Sequence, residues 1–154
     1  MEQVAITLWK DFGMAAALGL SAVGSALGIG AAGPAAVGAW KKCYAQNKSA
    51  PFILALFIGA PLSQTIYGMI VMNAIVNSMA KGAYLLGGGI FGGLAIGMSA
   101  WMQGVIGAAA SDSLAETGKG TGNYLIVLGI AETVALFVMV FIMMGMGRIA
   151  VAGG

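Results

Sequence analysis

Glu132 is the one charged residue inside the long apolar stretches of this 154-residue sequence. It lies about ten residues into the last stretch, roughly 15 Å deep if that stretch is a helix rising about 1.5 Å per residue through a membrane. A charged side chain at mid-bilayer costs roughly 2.5–3.5 kcal/mol. No basic residue lies in the stretches, so the carboxyl must be protonated, hold a cation, or meet a positive charge from another chain. A neutral Glu132 that only forms a hydrogen bond between helices is the alternative.

Further polar side chains are expected at a comparable depth. They are Ser63, Gln64 and Tyr67 in the second stretch, Gln103 in the third, and Thr133 beside the glutamate in the fourth. Pro61 cannot donate a backbone hydrogen bond, so it is expected to kink the second helix and free the carbonyl of Phe57. Carboxylate, amide, hydroxyl and carbonyl oxygens suit a hard cation, whereas a site for protons alone needs no amides. The pattern favours a cation site, although any one Gln or Ser could form an ordinary interhelical hydrogen bond.

The composition explains which elements must position these residues. The sequence is 60% hydrophobic and only 8% charged, against roughly 25% charged in soluble proteins. Four stretches exceed the approximately 20 apolar residues that a membrane-spanning helix needs: 12–40, 51–80, 82–111 and 121–147. Because the linkers are short, consecutive helices should form antiparallel hairpins over 12–80 and 82–148. We therefore predict an all-α membrane protein, a single membrane domain over 1–154 with four transmembrane helices.

Several functions are disfavoured by the composition. The chain has no histidine and a single cysteine, Cys43, so it offers no Ser-His or Cys-His pair and no catalytic site of its own is expected. The net charge of +2 is too small to indicate nucleic-acid binding. The spacing of Gly28, Gly30 and Gly33 resembles a dinucleotide fingerprint, but inside a charge-free span it indicates helix packing. No bound nucleotide is expected, and the long run 12–40 predicts a retained span rather than a cleaved signal.

Basic residues indicate an orientation in the membrane. The loops after the first and third stretches hold Lys41, Lys42, Lys48 and Lys119, and the opposite side holds Lys10, Lys81 and Arg148. Loops on the cytoplasmic side carry an excess of lysine and arginine. We therefore expect both hairpin loops in the cytoplasm and both termini outside.

The two halves of the chain also look like repeats. Gly30 matches Gly104 at an offset of 74, and Ser25-Ala26 matches Ser99-Ala100 at the same offset. In the following helix Gln64-Thr65 matches Glu132-Thr133 at an offset of 68. Glycine is concentrated in the first and third stretches, and small residues let helices approach closely in a membrane. The first and third helices should therefore pack tightly, with the second and fourth facing outward.

These features resemble the duplicated proteolipid subunit (K or c) of V/A-type rotary ATPases. The resemblance covers nearly the whole chain and is carried by the glycine-rich stretches and by residues 60–68, 101–104 and 129–133. It implies identical copies packed into an oligomeric rotor ring that carries one ion on one glutamate per four helices. It further implies a stator subunit that supplies an arginine, central-stalk subunits at the cytoplasmic loops, including Lys41, Lys42 and Asp112, and surrounding lipid, in a prokaryotic cell membrane.

The sequence is similar in particular to the sodium-translocating members of this family. That likeness implies Na⁺ bound by the side chains of Glu132, Gln103, Gln64 and Ser63, with the backbone carbonyl of Ala60 as a fifth ligand. It also implies that Tyr67 closes the site by a hydrogen bond to the carboxylate, with the adjoining Thr133 as a second closing residue. Ser63 stands where a threonine is expected, and keeps the hydroxyl. H⁺ is the alternative ion.

A small four-helix multidrug antiporter is the alternative from another class, since it also uses one intramembrane glutamate. Such sites surround the carboxylate with aromatic rings that stack on organic cations. The neighbours of Glu132 here are Gly129, Ala131, Thr133 and Ala135, which favours the proteolipid. A purely structural membrane protein is a further alternative, but it gives no reason for Gln64, Gln103 and Glu132 to lie at one depth.

Overall fold

The computed structural model describes residues 2–78 and 82–152, and within them every regular element is helical. The elements are α1 (Glu2–Ala45), α2 (Leu54–Gly59), a 3₁₀ turn (Ala60–Leu62), α3 (Ser63–Asn77), α4 (Ala83–Thr117) and α5 (Thr121–Ala152). Because α2, the turn and α3 follow one another directly, they form one interrupted span. Four helical segments are thus long and apolar enough to cross a membrane. The predicted four-helix membrane fold is confirmed.

The helices run past the ends of the apolar stretches from which they were predicted. α1 covers Glu2–Ala45 rather than 12–40, and α4 continues to Thr117 rather than ending near residue 111. Hydrophobicity marks the part of a helix that meets lipid, whereas the backbone hydrogen bonds continue into the polar turns beyond it. The predicted boundary between the two hairpins, including Lys81, lies outside the described residues.

Pro61 interrupts the second span as predicted. It lies in the first turn of the 3₁₀ segment, where a residue without a backbone N–H is tolerated. The carbonyl of Phe57, four residues before Pro61, takes part in helix packing. It lies against α4 at Gly107, where an added Cβ would come within 2.7 Å of the Phe57 oxygen. The missing side chain at Gly107 therefore lets the second span approach α4, and the carbonyl freed by Pro61 is used in packing.

α1 and α4 lie backbone against backbone and run parallel. At three levels a glycine of α1 faces a glycine of α4, and a Cβ on either would overlap the opposite helix: Gly13 with Gly89, Gly24 with Gly97, and Gly28 with Gly104. The pairs advance in the same direction along both helices. The predicted tight packing of the first and third spans is confirmed, and their position within a ring stays a prediction.

The end of this helix pair is also joined by charged residues. Lys42 in the last turn of α1 donates a hydrogen bond to the Glu116 carboxylate of α4 and lies 3.8 Å from Asp112. Exposed pairs of this kind contribute little stability. Their position shows that the loop ends of α1 and α4 lie side by side.

α5 is the most exposed helix of the described chain. One of its faces carries large apolar side chains that are each more than half exposed: Ile126, Ile130, Val134, Phe137 and Phe141. Residues at this spacing share one side of a helix. In a membrane that side must meet lipid or another protein chain. Burial inside the chain therefore does little to fix the rotation of α5.

The glycine pairs predict a stability effect. Gly24→Ala should lower the free energy of unfolding by at least about 2 kcal/mol, because overpacking of this kind forces backbone shifts and the new methyl would overlap Gly97. Thermal or denaturant unfolding of the purified protein measures the change. Gly30→Ala in the same helix is the matched control, since an added Cβ there meets nothing within 4 Å. Equal stability of the two variants would contradict the close packing.

Candidate ion-binding site

An open cleft of about 310 Å³ lies between the interrupted span, α4 and α5. Its polar lining consists of Ala60, Ser63, Gln103 and Glu132. The remaining lining is apolar: Leu56, Gly59, Leu125, Leu128 and Gly129. The 3₁₀ turn supplies Ala60 and leads directly into α3 at Ser63, so the interruption at Pro61 shapes one wall. We call this space the polar cleft.

The two buried glutamines are held by a continuous chain of hydrogen bonds. The Ser63 hydroxyl lies 3.1 Å from Gln64 Oε1 and 3.0 Å from the Ala60 carbonyl. Gln64 Nε2 donates to Gln103 Oε1 over 2.8 Å, and Gln103 Nε2 donates to the Leu128 carbonyl over 3.0 Å. Both amide groups are therefore fixed through their nitrogens. An amide oxygen has two lone pairs, so each Oε1 retains one beyond the hydrogen bond it accepts.

The carboxyl group of Glu132 is held from the opposite span. The Tyr67 hydroxyl donates a hydrogen bond to Glu132 Oε1 over 2.6 Å, which joins α3 to α5. Glu132 is half-buried and lines the polar cleft. The hydrogen bond expected from the resemblance is thus present, and the role of Tyr67 in closing the site stays a prediction.

Thr133 does not take part in this arrangement. Its hydroxyl donates to the Gly129 carbonyl, one turn back in the same helix, over 2.8 Å. Successive residues of an α-helix point about 100° apart, so Thr133 projects from a different side of α5 than its neighbour Glu132. Serine and threonine in helices commonly satisfy their hydroxyls in this way. In this structure the hydroxyl of Thr133 is thus bonded within α5, and its role in closing the site stays a prediction.

Ser99 lies at the same level and was not among the predicted site residues. It is 7% exposed on α4, and its hydroxyl donates to the Ala131 carbonyl of α5 over 2.6 Å. The repeat contained a signal for it, because Ser25 is its counterpart. Ser25 likewise bonds to the following span, accepting a hydrogen bond from Thr65 over 2.8 Å.

The residues that line the polar cleft offer several oxygen atoms around one ionisable group. They are the Glu132 carboxylate, the Ser63 hydroxyl, the Ala60 carbonyl and the Gln103 amide oxygen, and Gln64 is bonded directly to Gln103. None of the lining residues carries a positive charge. An ionised Glu132 would need a cation or a proton here, and oxygen ligands suit a hard cation such as an alkali or alkaline-earth ion.

A known protein family resembles the second half of this chain. Residues 86–151 match the family model of the ATP synthase C subunit. The matched range contains nearly all of α4 and α5, with Ser99, Gln103 and Glu132. No curated protein matches the chain. The match covers less than half of the 154 residues, and over that range the chain is similar to the ATP synthase C subunit.

Proposed function

We propose that this chain is the rotor-ring subunit of a V/A-type rotary ATPase and carries Na⁺ across the membrane on Glu132. The observation that supports it most is the polar cleft. There a carboxylate bonded by Tyr67 lies with the buried amide pair of Gln64 and Gln103 inside an otherwise apolar protein. Gln64 occupies the position in the first hairpin that Glu132 occupies in the second. One ion would therefore be carried for every four helices.

The number of oxygen atoms near Glu132 favours sodium over protons. Glu132 could bind a proton without any further ligand. The oxygens of Gln64 and Gln103 and the Ser63 hydroxyl, with the Ala60 carbonyl, instead provide the several oxygen contacts that replace the hydration shell of a hard cation. Proton transport remains the alternative within the same ring.

The proposed mechanism is rotary. Identical copies form a ring, and an ion bound at Glu132 neutralises the carboxylate, so the site can pass through lipid without the penalty of a buried charge. A stator arginine would then release the ion, because an opposite charge favours the empty carboxylate. With the hairpin loops in the cytoplasm of a prokaryote, the cluster of Lys42, Asp112 and Glu116 would lie at the central-stalk end.

The multidrug antiporter receives no support from the cleft. An organic cation would need aromatic faces around the carboxylate, and the lining residues include none. Tyr67 approaches through its hydroxyl, which is bonded to Glu132.

Carbodiimide labelling of the purified ring, mapped by mass spectrometry, tests the proposal. The reagent modifies a protonated carboxyl in an apolar setting, so Glu132 should be labelled, and Na⁺ at fixed pH should suppress the labelling. K⁺ at the same ionic strength is the control. Labelling of Glu132 that Na⁺ does not affect would indicate that the site carries protons rather than sodium. No labelling of Glu132 would contradict the ion site itself.

Tyr67→Phe should weaken sodium binding roughly tenfold and leave the ring assembled. The variant removes a hydrogen bond to a charged group, worth about 1.5 kcal/mol, and keeps the aromatic ring. The Na⁺ concentration that halves carbodiimide labelling measures the effect. Tyr44→Phe is the matched control, because Tyr44 is 68% exposed and distant in sequence from the polar cleft. Equal sodium protection in both variants would show that Tyr67 does not close the site.

A further inference from the structure

Ser99 connects α4 to the residue that directly precedes Glu132. Its hydroxyl donates to the Ala131 carbonyl over 2.6 Å, and the side chain is only 7% exposed. A helical carbonyl already accepts a hydrogen bond from the residue four positions ahead, and its second lone pair can take the serine. The hydrogen bond therefore joins two helices without breaking either of them.

A second hydrogen bond of the same kind lies one turn away. Gln103 Nε2 donates to the Leu128 carbonyl over 3.0 Å. Ser99 and Gln103 are four residues apart and so share one side of α4, while Ala131 and Leu128 are three apart and share one side of α5. Two hydrogen bonds separated along the helix axis fix both the height and the rotation of α5 against α4. A single one would leave the rotation free.

The other polar contacts between α4 and α5 lie toward the ends of α5: the Ser113 hydroxyl lies 2.6 Å from the Tyr124 hydroxyl, and Tyr84 donates to the Ile142 carbonyl over 3.4 Å. Near Glu132 itself, the hydrogen bond from Tyr67 of α3 is the remaining polar contact that the structure describes.

Lipid is as apolar as the side chains of α5, so burying one face rather than another gains little in a membrane. Around Glu132 the large side chains Ile130 and Val134 point away from the protein and are more than half exposed. The direction in which the carboxyl points thus depends on polar interactions between helices.

We infer that Ser99 is a positioning residue for Glu132, holding α5 in the rotation that turns the carboxyl toward Tyr67 and the polar cleft. It touches no ion itself. The inference rests on the proposed function, and it assigns to Ser99 a share of the sodium affinity. Without the Ser99 hydroxyl, α5 would keep only the Gln103 hydrogen bond to α4 at this level, and the carboxyl would occupy the closed geometry for less of the time.

The test compares two serine-to-alanine variants of the same helix. Ser99→Ala removes the hydrogen bond to α5, whereas Ser111→Ala removes a buried hydroxyl whose partner, the Gly107 carbonyl at 2.8 Å, belongs to α4 itself. Both change packing equally little. The Na⁺ concentration that halves carbodiimide labelling of Glu132 in the purified ring should rise about fivefold for Ser99→Ala and stay within about twofold for Ser111→Ala. Ring stability in detergent is recorded for both.

The outcomes separate the inference from the proposed function. If Na⁺ protects the unmodified ring and Ser99→Ala is protected at the same concentration, the positioning role is overturned and the ion site stands. If Na⁺ does not protect the unmodified ring, sodium carriage fails and the inference fails with it. Ser99→Cys, which keeps the shape with a weaker donor, is the second variant should the alanine ring not assemble. It should raise the protective concentration about two- to threefold, and a value equal to the unmodified ring would overturn the inference.

Discussion

Glu132→Gln is expected to abolish ATP-driven sodium transport while leaving the ring assembled. The amide has nearly the shape of the carboxyl and can still accept the hydrogen bond that Tyr67 donates over 2.6 Å. It cannot become negative, however, so it neither neutralises a bound cation nor responds to an arginine of the stator. Sodium uptake into proteoliposomes should fall to the background, and equilibrium sodium binding to the purified ring should disappear.

Glu116→Gln is the matched control for this substitution. Glu116 lies in the last turn of α4, exposed and bonded to Lys42, far along the helix from the polar cleft. Its replacement should leave sodium binding to the purified ring unchanged. Coupled transport that persists in Glu132→Gln would show that the ion is carried elsewhere. Loss of binding in both variants would point to a general effect of removing negative charge.

The common level of the polar residues was predictable from the sequence because it depends on position along each helix. The charge-free runs located the four spans, and counting residues placed Gln64, Gln103 and Glu132 near one level, where the structure brings them together. The ends of the helices were not predictable in this way. Lys42 and Glu116 lie beyond the apolar runs but remain helical, since a helix does not end where it leaves lipid.

Rotation about each helix axis was the part that the sequence left open. In a helix that is apolar on all sides, no pattern distinguishes the face that meets protein from the face that meets lipid. Thr133 was therefore expected at the site beside Glu132, yet its hydroxyl bonds back to Gly129. The carbonyl of Phe57 packs at Gly107 of α4, a contact that the sequence did not indicate. Both outcomes depend on close helix packing that only the folded chain defines.

The internal repeat relates polar residues near the polar cleft as well as the glycines of the packed helices. Gln64 and Glu132 occupy matching positions but act differently, because the first is buried as a hydrogen-bond donor to Gln103 and the second lines the polar cleft. Ser25 and Ser99 also match, and each joins its helix to the span that follows. The two halves thus share a pattern of helix packing. They differ in that the first half has the amide Gln64 where the second half has the carboxyl Glu132, so the ionisable group lies in the second half.

Gln103→Ala should weaken sodium binding about a hundredfold and change the protonation of Glu132 much less. The variant deletes a ligand oxygen and also leaves the buried Gln64 Nε2 without the acceptor it has at 2.8 Å. The unpaired Gln64 donor weakens the empty and the occupied site alike, so the loss of affinity comes from the deleted oxygen. A polar contact to a charged group is worth about 1.5–3 kcal/mol, and about 2.7 kcal/mol corresponds to a factor of one hundred. Equilibrium sodium binding to the purified ring measures the affinity, and carbodiimide labelling without sodium reports the protonated carboxyl.

Gln46→Ala provides the same substitution in an exposed loop and should leave both measurements unchanged. Comparing the two variants distinguishes sodium binding from protonation of Glu132. In the proposed site Gln103 would contribute an oxygen that a sodium ion needs and a proton on Glu132 does not. A sodium carrier should therefore lose affinity while labelling without sodium persists. If sodium affinity is instead unchanged in Gln103→Ala, Gln103 is not a sodium ligand and the buried amides only join the helices.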